Sequence, residues 1–377
     1  MLIFLQQLIN GLTTGTLFAL IAIGYTMVYG IIELINFAHG DLFMLGAFLA
    51  LTLVSAMGLA GGTVPTSNWI LLFLCAPVFV VGFTLPPRLL VAKFRNVPWS
   101  AGIVTGLAAA LGYILFLKLG IQFMQVPPKP AEPKAGQVIF SLLFTFISCM
   151  IFCGAMNFAQ DQIIYRPLRN APKLTPLVSA IGVSFVFMGL GQIWKGVADI
   201  NFPNVLPNMN LLPGTDPESL RFTLKDLIVI CVTVPLMAGL TVFVRYTKLG
   251  KAMRATAQNP IASRLMGIDV DRVIGWTFAI GGLLAGAASV IYGLTIGTVS
   301  FQMGYQNGLY AFTAAVLGGI GNLPGAMLGG IVIGLVRSLG SQYVGEQWTS
   351  ALVFGILILL LVFRPSGLLG ARTREKV

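Results

Sequence analysis

Charged residues are scarce in this chain of 377 residues: Asp, Glu, Lys and Arg together make up only 9% of the sequence. Hydrophobic residues make up 56%, and the mean hydropathy is +0.89. A soluble domain carries about 25% charged residues and could not bury so much apolar surface. The composition therefore excludes an ordinary soluble protein and predicts an all-α, polytopic helical membrane protein.

Histidine and cysteine are also rare, which excludes several kinds of site. His39 is the only histidine and no G-x-S-x-G turn accompanies it, so serine hydrolysis lacks its usual motif. Asp41 has no obvious intramembrane carboxylate partner, which argues against aspartyl proteolysis. Cys149 and Cys153 share a helix face, but no further thiol or histidine completes a metal set. We predict no catalytic residues and no metal site.

A phosphate-binding loop of the form G-x-x-x-x-G-K-[ST] is absent as well. The chain is not expected to bind ATP by that route, so any dependence on ATP has to come from a partner. The net charge of +11 and the pI near 9.7 would suit nucleic-acid binding. In a membrane protein, however, positive residues usually mark cytoplasmic loops, and we predict no nucleic-acid partner.

Long apolar runs are what the sequence does contain. Runs of about 17 to 25 residues, the length that a helix needs to cross a hydrocarbon core, recur along the chain. Because only short loops separate most of them, we predict a single transmembrane domain, residues 1–377. The eleven predicted spans are approximately 5–30, 41–58, 69–85, 100–121, 137–160, 174–195, 226–245, 270–297, 306–320, 326–342 and 346–363.

Positive charges are divided unevenly between the two sets of loops that these spans define. One set carries 16 Lys and Arg residues and the other carries 6. Because cytoplasmic loops are enriched in Lys and Arg, we assign the first set to the cytoplasm. The N-terminus is then predicted outside and the C-terminus inside. A polar segment on the outer side, residues 196–225, is large enough to contact another protein.

The apolar pattern is interrupted at Glu33–Asp41, which places Asn36, His39 and Asp41 near the predicted inner membrane boundary. This segment fits a helix cap and turn. That is the favoured interpretation, and the alternative is a part of a gate or translocation path, because ionisable groups near membrane depth are costly and often functional. The residues themselves leave both interpretations open.

A second interruption is Leu317–Gly330, where Asn322 and Pro324 break a helix. Glycines recur there at every fourth residue and would present a bare backbone face, which favours close helix packing, although helices that slide in a transport path would use it too. Those glycines are Gly321, Gly325 and Gly329, and a similar pair is Gly282 and Gly286.

The most distinctive segment is cationic. Residues 245–272, called the basic loop below, interrupt two apolar runs with RYTKLGKAMRATAQNPIASRLMGI and its flank. Asn259 is predicted to cap a second short helix that starts at Pro260. Small residues on such a helix would let it enter a groove in a partner protein, whereas charge alone fits contact with anionic membrane lipid equally well.

Four segments resemble the permease subunits of branched-chain amino-acid ABC importers of the Liv type. They are IAIGYTMVYGIIELINFAHGDLFMLGAF, IIYRPLR, the basic loop followed by GIDVDRVIGWTFAIGG, and AFTAAVLGGIGNLPGAMLGGIVIGL. The similarity runs in order along nearly the whole chain. It implies a non-enzymatic translocation subunit in the bacterial cytoplasmic (inner) membrane.

The resemblance also implies partners: a second related permease, two cytosolic ABC ATPases that bind the ATP and Mg, and a periplasmic substrate-binding protein. No cofactor is expected in this chain. The basic loop would be the cytoplasmic segment that couples ATP-driven closure to the membrane helices. The residues that carry this match are Arg254, Ala255, Ala257, Asn259, Ala262, Leu265 and Gly267, and the tentative gate or path residues are Asn36, His39, Asp41 and Asn322.

Two points depart from the family or stay open. Residues 68–136 are an apparent insertion of about two extra helices relative to the family pattern, for which we have no function. The family implies leucine, isoleucine and valine as substrates, while urea or short amides are an alternative.

Two other classes of function are alternatives to an importer subunit. An ion-coupled secondary carrier should show ionisable residues or unwound segments near the midplane. A scaffold without transport would leave the basic loop without its partner.

Overall fold

The computed structural model describes residues 1–32, 35–59, 77–78, 80–81, 99–124, 135–169, 171–172, 174–207, 209–212, 220–364 and 366–370. The helix Ala135–Gln160 continues through a π-helical turn, Asp161–Tyr165, into a last α-helical turn, Arg166–Leu168. Two short strands, β1 (Ile200–Asn201) and β2 (Thr298–Val299), pair antiparallel. The helices are α1 (Leu2–Ile32), α2 (Ala38–Ala56), α3 (Trp99–Met124), α4 (Ala135–Gln160), α5 (Leu174–Lys195), α6 (Leu224–Tyr246), α7 (Lys248–Gln258), α8 (Pro260–Leu265), α9 (Val270–Ile296), α10 (Met303–Gly318), α11 (Leu323–Tyr343) and α12 (Glu346–Phe363).

Nine helices in the described part of the chain are long and apolar enough to cross a membrane, which confirms the polytopic helical fold. They are α1 to α6, α9, α11 and α12, and each coincides with a predicted span. The predicted span at 69–85 lies largely outside the described residues, as does most of the proposed insertion apart from α3.

The predicted span at 306–320 forms a shorter helix than expected. α10 has 16 residues, which is about 24 Å at 1.5 Å per residue, whereas the hydrocarbon core is about 30 Å thick. The helix ends at Gly319, whose φ of +105° interrupts the helical backbone. Its first turn packs inside the bundle, since a Cβ on Gly304 would lie 2.8 Å from the Cα of Asp41.

Glycines bring the long helices into backbone contact. α1 and α11 run antiparallel, and a Cβ on Gly330 would lie 2.4 Å from the Cα of Ala19. A Cβ on Gly282 or Gly286 of α9 would lie 2.3 or 2.4 Å from a carbonyl oxygen of α4. Helices in membranes associate through such close packing. The predicted packing role of Gly282 and Gly286 is confirmed.

The glycines after the break at Asn322 pack in the same way. A Cβ on Gly325 would lie 2.2 Å from the Gly318 carbonyl oxygen, and one on Gly329 would lie 2.0 Å from the Ala314 carbonyl oxygen. α10 and α11 therefore form a tight hairpin through these two positions, as predicted. Gly321 belongs instead to the turn, where its φ is +85°.

α2 is the central helix of the bundle. Every residue from Ala38 to Ser55 is buried, with α4, α5, α9 and α10 packed around it. Phe43, for example, meets Tyr292 of α9 edge-on, with ring centroids 5.3 Å apart. A helix that is apolar and covered on all sides belongs to the core, and the first turn of α2 carries His39 and Asp41.

Candidate functional site

The basic loop folds as two short helices, α7 and α8, set against the end of the bundle. Asn259 caps α8 by accepting hydrogen bonds from the amides of Ile261 (3.0 Å) and Ala262 (2.9 Å). Pro260 occupies the first helical position, where its missing N–H costs no intrahelical bond. The predicted cap and the predicted second helix are both confirmed.

One side of the basic loop packs on the bundle and the other side is open. Met253 is 2% exposed, whereas Ile261, Leu265 and Met266 are 72%, 84% and 82% exposed. Neighbouring apolar side chains exposed together are typical of a surface that contacts a partner. Sequence reasoning missed Ile261, although an apolar residue in a basic loop was a usable signal.

The predicted coupling residues are mostly exposed. Ala255 is half-buried, and the exposed ones are Arg254, Ala257, Asn259, Ala262, Leu265 and Gly267.

A cavity of about 620 Å³ lies between the basic loop, α1, the end of α6 and the turn before α11. Arg254, Ala257 and Asn322 all line this cavity. The Asn322 side chain accepts from the Gly325 amide (3.2 Å) and donates to the Leu369 carbonyl (2.6 Å). Asn322 is therefore a helix cap that also lines the cavity beside the basic loop.

The other three predicted path residues lie elsewhere and are buried in the bundle. Asn36, His39 and Asp41 are 2%, 1% and 0% exposed, and a Cβ on Gly24 would lie 2.3 Å from the Nε2 atom of His39. Gly24 precedes the end of α1 by about 12 Å of helix. The start of α2 therefore lies inside the bundle, opposite a residue well before the end of α1. The predicted position near the inner membrane boundary stays a prediction.

Asn36 is held by a network of amide and hydroxyl groups from the end of α4. Its Oδ1 accepts from Tyr165 Oη (2.8 Å) and Gln160 Nε2 (3.0 Å), and its Nδ2 donates to Asn157 Oδ1 (3.3 Å). Asn157 in turn donates to the Phe278 carbonyl of α9 (2.6 Å). Buried polar groups satisfied in this way fix one arrangement of the helices that supply them.

The side chains of Asp41 and His39 lack such a complete set of hydrogen-bond partners in the described part of the chain. One oxygen of Asp41 accepts from the Ser184 hydroxyl of α5. The other, Oδ1, and both ring nitrogens of His39 have no hydrogen-bond partner within the described residues. Buried ionisable groups of this kind are costly and mark functional sites.

An ionic cluster joins the end of the basic loop to α4. Arg169 donates to both Asp161, at 2.6 Å, and Asp271, and Arg166 lies 3.9 Å from Asp271. Asp161 is fully buried and opens the π-helical turn that carries Tyr165 at its other end. Turns of this kind often occur at functional sites. The cluster thus places the basic loop one turn from the network around Asn36.

A further cavity of about 580 Å³ lies at the opposite end of α2 and is lined by Leu51, Ser55, Lys195 and the loop segment 200–204. β1, which belongs to this loop segment, is anchored by pairing with β2. Open space therefore adjoins both ends of the central region: this cavity beside the predicted outer loop, and the larger one beside the basic loop.

Comparison with known proteins identifies the family. The family model described as "Branched-chain amino acid transport system / permease component" matches residues 7–362. The high-affinity branched-chain amino acid transport system permease protein BraD of Pseudomonas aeruginosa is 34% identical over 99% of this chain and 98% of its own length. The permease protein LivH of the same description from Escherichia coli K12 is 32% identical over 100% of this chain and 98% of its own length.

A probable branched-chain amino acid transport permease protein LivH from Methanocaldococcus jannaschii is 25% identical over 73% of this chain and 61% of its own length. The search of solved structures gave no match. With the family model spanning nearly all of the chain and two relatives above 30% identity over their full length, this integral, multi-pass membrane protein belongs to the branched-chain amino acid transport permease family.

Proposed function

We propose that this chain is the membrane-spanning permease subunit of an ATP-driven importer of branched-chain amino acids in the bacterial inner membrane. A periplasmic binding protein delivers the substrate, and a second related permease completes the path. The branched-chain amino acid transport described for BraD and LivH supports the substrate class. The observation that carries the proposal is the pair of helices α7 and α8, which present exposed apolar and cationic residues beyond the bundle.

In this proposal the basic loop docks on one of two cytosolic ATPases, which hold the ATP and Mg. Arg254, Ala255, Ala257, Asn259, Ala262, Leu265 and Gly267 form the docking surface. Leu265 and Met266 are the apolar anchors, because their exposure exceeds four-fifths and buried apolar anchors dominate protein contacts.

Movement of the basic loop reaches the membrane helices by two routes. Met253 packs against the bundle, and Asp271 is tied through Arg169 to Asp161 on α4. From there the π-helical turn leads to Tyr165 and Asn36. A rigid displacement of the basic loop would therefore shift Asn36, which directly precedes the first turn of α2 with His39 and Asp41. Coupling through two arrangements of such packed elements would give alternating access.

The experiment combines purification with transport. The native protein is tagged, extracted gently and analysed by mass spectrometry, and the recovered complex is placed in liposomes with the loaded binding protein. Recovery of ATPases and a second permease, with leucine uptake only when ATP is present, is the expected result. A chain that purifies alone and moves solute without ATP would show a secondary carrier and overturn the proposal.

A further inference from the structure

A cavity of about 230 Å³ opens on the side of the bundle between α5 and α10. Its rim includes Phe185 and Tyr305, which are 67% and 55% exposed. Its walls are mostly apolar, with Phe37 and Leu309 among them. The cavity is smaller than the roughly 300–1,000 Å³ typical of drug-sized ligand pockets, and it therefore suits the side chain of a single small amino acid.

The polar end of this cavity is Ser184 of α5. Its side chain is largely buried, and its hydroxyl donates to one carboxylate oxygen of Asp41. A hydroxyl that donates one hydrogen bond keeps two lone pairs that can accept others. Ser184 thus presents an acceptor to the cavity, with the Asp41 carboxylate directly behind it.

Asp41 supplies the carboxyl group of this pair. It is 0% exposed, and within the described residues its Oδ1 has no hydrogen-bond partner. No Lys or Arg is bonded to it in the described part of the chain, because the recorded ion pairs of that part all lie around Asp161, Asp269 and Asp271. A buried carboxylate is stabilised by a cation, so a cationic group entering the cavity would find its counter-charge here.

We propose that this cavity is a transient binding site on the translocation path, where the Ser184–Asp41 pair receives the ammonium group of an amino acid whose apolar side chain lies against Phe37 and Leu309. The proposal deepens the proposed function and rests on it. It predicts a preference of this chain for amino acids over urea or short amides, since neutral amides carry no ammonium group. Ser184 is then a substrate-binding residue that the sequence did not single out.

The test uses the complete importer in liposomes, with saturating binding protein loaded with leucine or valine. Ser184→Ala should lower the maximal rate of leucine uptake by about tenfold or more, the factor for a lost hydrogen bond to a charged group. The matched control is Ser179→Ala on the same helix, because the Ser179 hydroxyl bonds only its own helix at the Thr175 carbonyl (2.9 Å). Ser184→Thr, which keeps the hydroxyl, should retain most of the rate.

A second variant tests the apolar wall independently. Leu309→Ala enlarges the cavity and should change the ratio of leucine to valine uptake several-fold, whereas Leu328→Ala on α11, away from the cavity, should leave the ratio unchanged. If Ser184→Ala fails to assemble, the ratio of leucine to valine uptake in Leu309→Ala decides whether the cavity binds substrate. Wild-type rates in Ser184→Ala, or an unaltered ratio in Leu309→Ala, would overturn the site. Absence of ATP-driven uptake by the wild-type complex would instead refute the proposed function.

Discussion

Side-chain size at single positions of α8 should determine whether the basic loop can dock. Ala262 is exposed in the first turn of α8, beside Ile261 and one turn from Leu265 and Met266. A small residue among exposed apolar neighbours leaves room for a partner to approach the helix backbone. A large residue at the same position would hold the partner away from those neighbours without disturbing the fold, because nothing in the bundle covers it.

We therefore expect Ala262→Trp to uncouple ATP hydrolysis from uptake. The complex should keep its folded permease, while leucine uptake per ATP hydrolysed falls by about tenfold, since loss of one well-packed contact at a docking interface is worth one to a few kcal/mol. Both rates are measured on the same proteoliposomes. Ala108→Trp, at an exposed position of α3, is the control, and equal coupling in the two variants would contradict the docking assignment.

Asn36 should matter for stability as well as for transport. Its Oδ1 is the shared acceptor for Tyr165 and Gln160. Asn36→Ala leaves those donors without their partner, and we expect the unfolding free energy to fall by about 1–3 kcal/mol. Tyr165→Phe removes only one donor and should have a smaller effect. Thermal unfolding in detergent measures both, and an Asn36→Ala midpoint equal to that of the wild type would contradict the network.

Sequence predicted the local polar features well and the distant ones poorly. Asn259 and Pro260 form a cap whose partners lie within three residues, so the pattern alone was sufficient. Asn36 bonds residues 121 to 129 positions away, and Ser184 lies 143 positions from Asp41. Those partners are single polar residues within apolar helices, and only the packing of the helices shows that they meet.

At the scale of helices, the glycine contact between α9 and α4 makes the sharpest prediction. A Cβ at position 286 would lie 2.4 Å from the Cys149 carbonyl oxygen, so Gly286→Ala has to push the two helices apart. We expect a loss of about 1–3 kcal/mol, as for other overpacked cores. Gly189→Ala on α5, where no atom lies within 4 Å, should be neutral or stabilising by up to about 1 kcal/mol. Similar unfolding midpoints in both variants would refute the contact.

Hydropathy located the helices along the chain but did not show how deeply each residue is buried in the bundle. The runs that became α1, α4 and α9 were long and apolar enough to be recognised without any structure. The burial of His39 and Asp41 in the first turn of α2 was not predicted, because the apolar pattern does not reveal which helices pack around that turn. α10 was taken for a full span for a similar reason: its sequence is apolar, and the burial of its first turn against Asp41 is a property of the packing.

At the scale of the whole molecule, one contact constrains the number of times that the chain crosses the membrane. Gln6 exchanges two hydrogen bonds with the backbone of Arg221, at 3.0 and 2.8 Å, so the start of α1 and the loop before α6 lie at the same end of the bundle. Five of the described membrane-length helices lie between them. An even number of crossings is needed to return to the same side, and the predicted span at 69–85, outside the described residues, would supply the sixth.

Orientation can be tested with single cysteines in a chain whose native cysteines are replaced, including the exposed Cys231. Ile3→Cys and Ala198→Cys, both at exposed positions, should react with an impermeant maleimide in intact spheroplasts. Arg264→Cys in the basic loop should react only after lysis, because the loops with 16 of the Lys and Arg residues are predicted to face the cytoplasm. Labelling of Arg264→Cys from outside would invert the topology and remove the basic loop from reach of any cytosolic ATPase. Opposite labelling of Ile3→Cys and Ala198→Cys would instead contradict the sixth crossing.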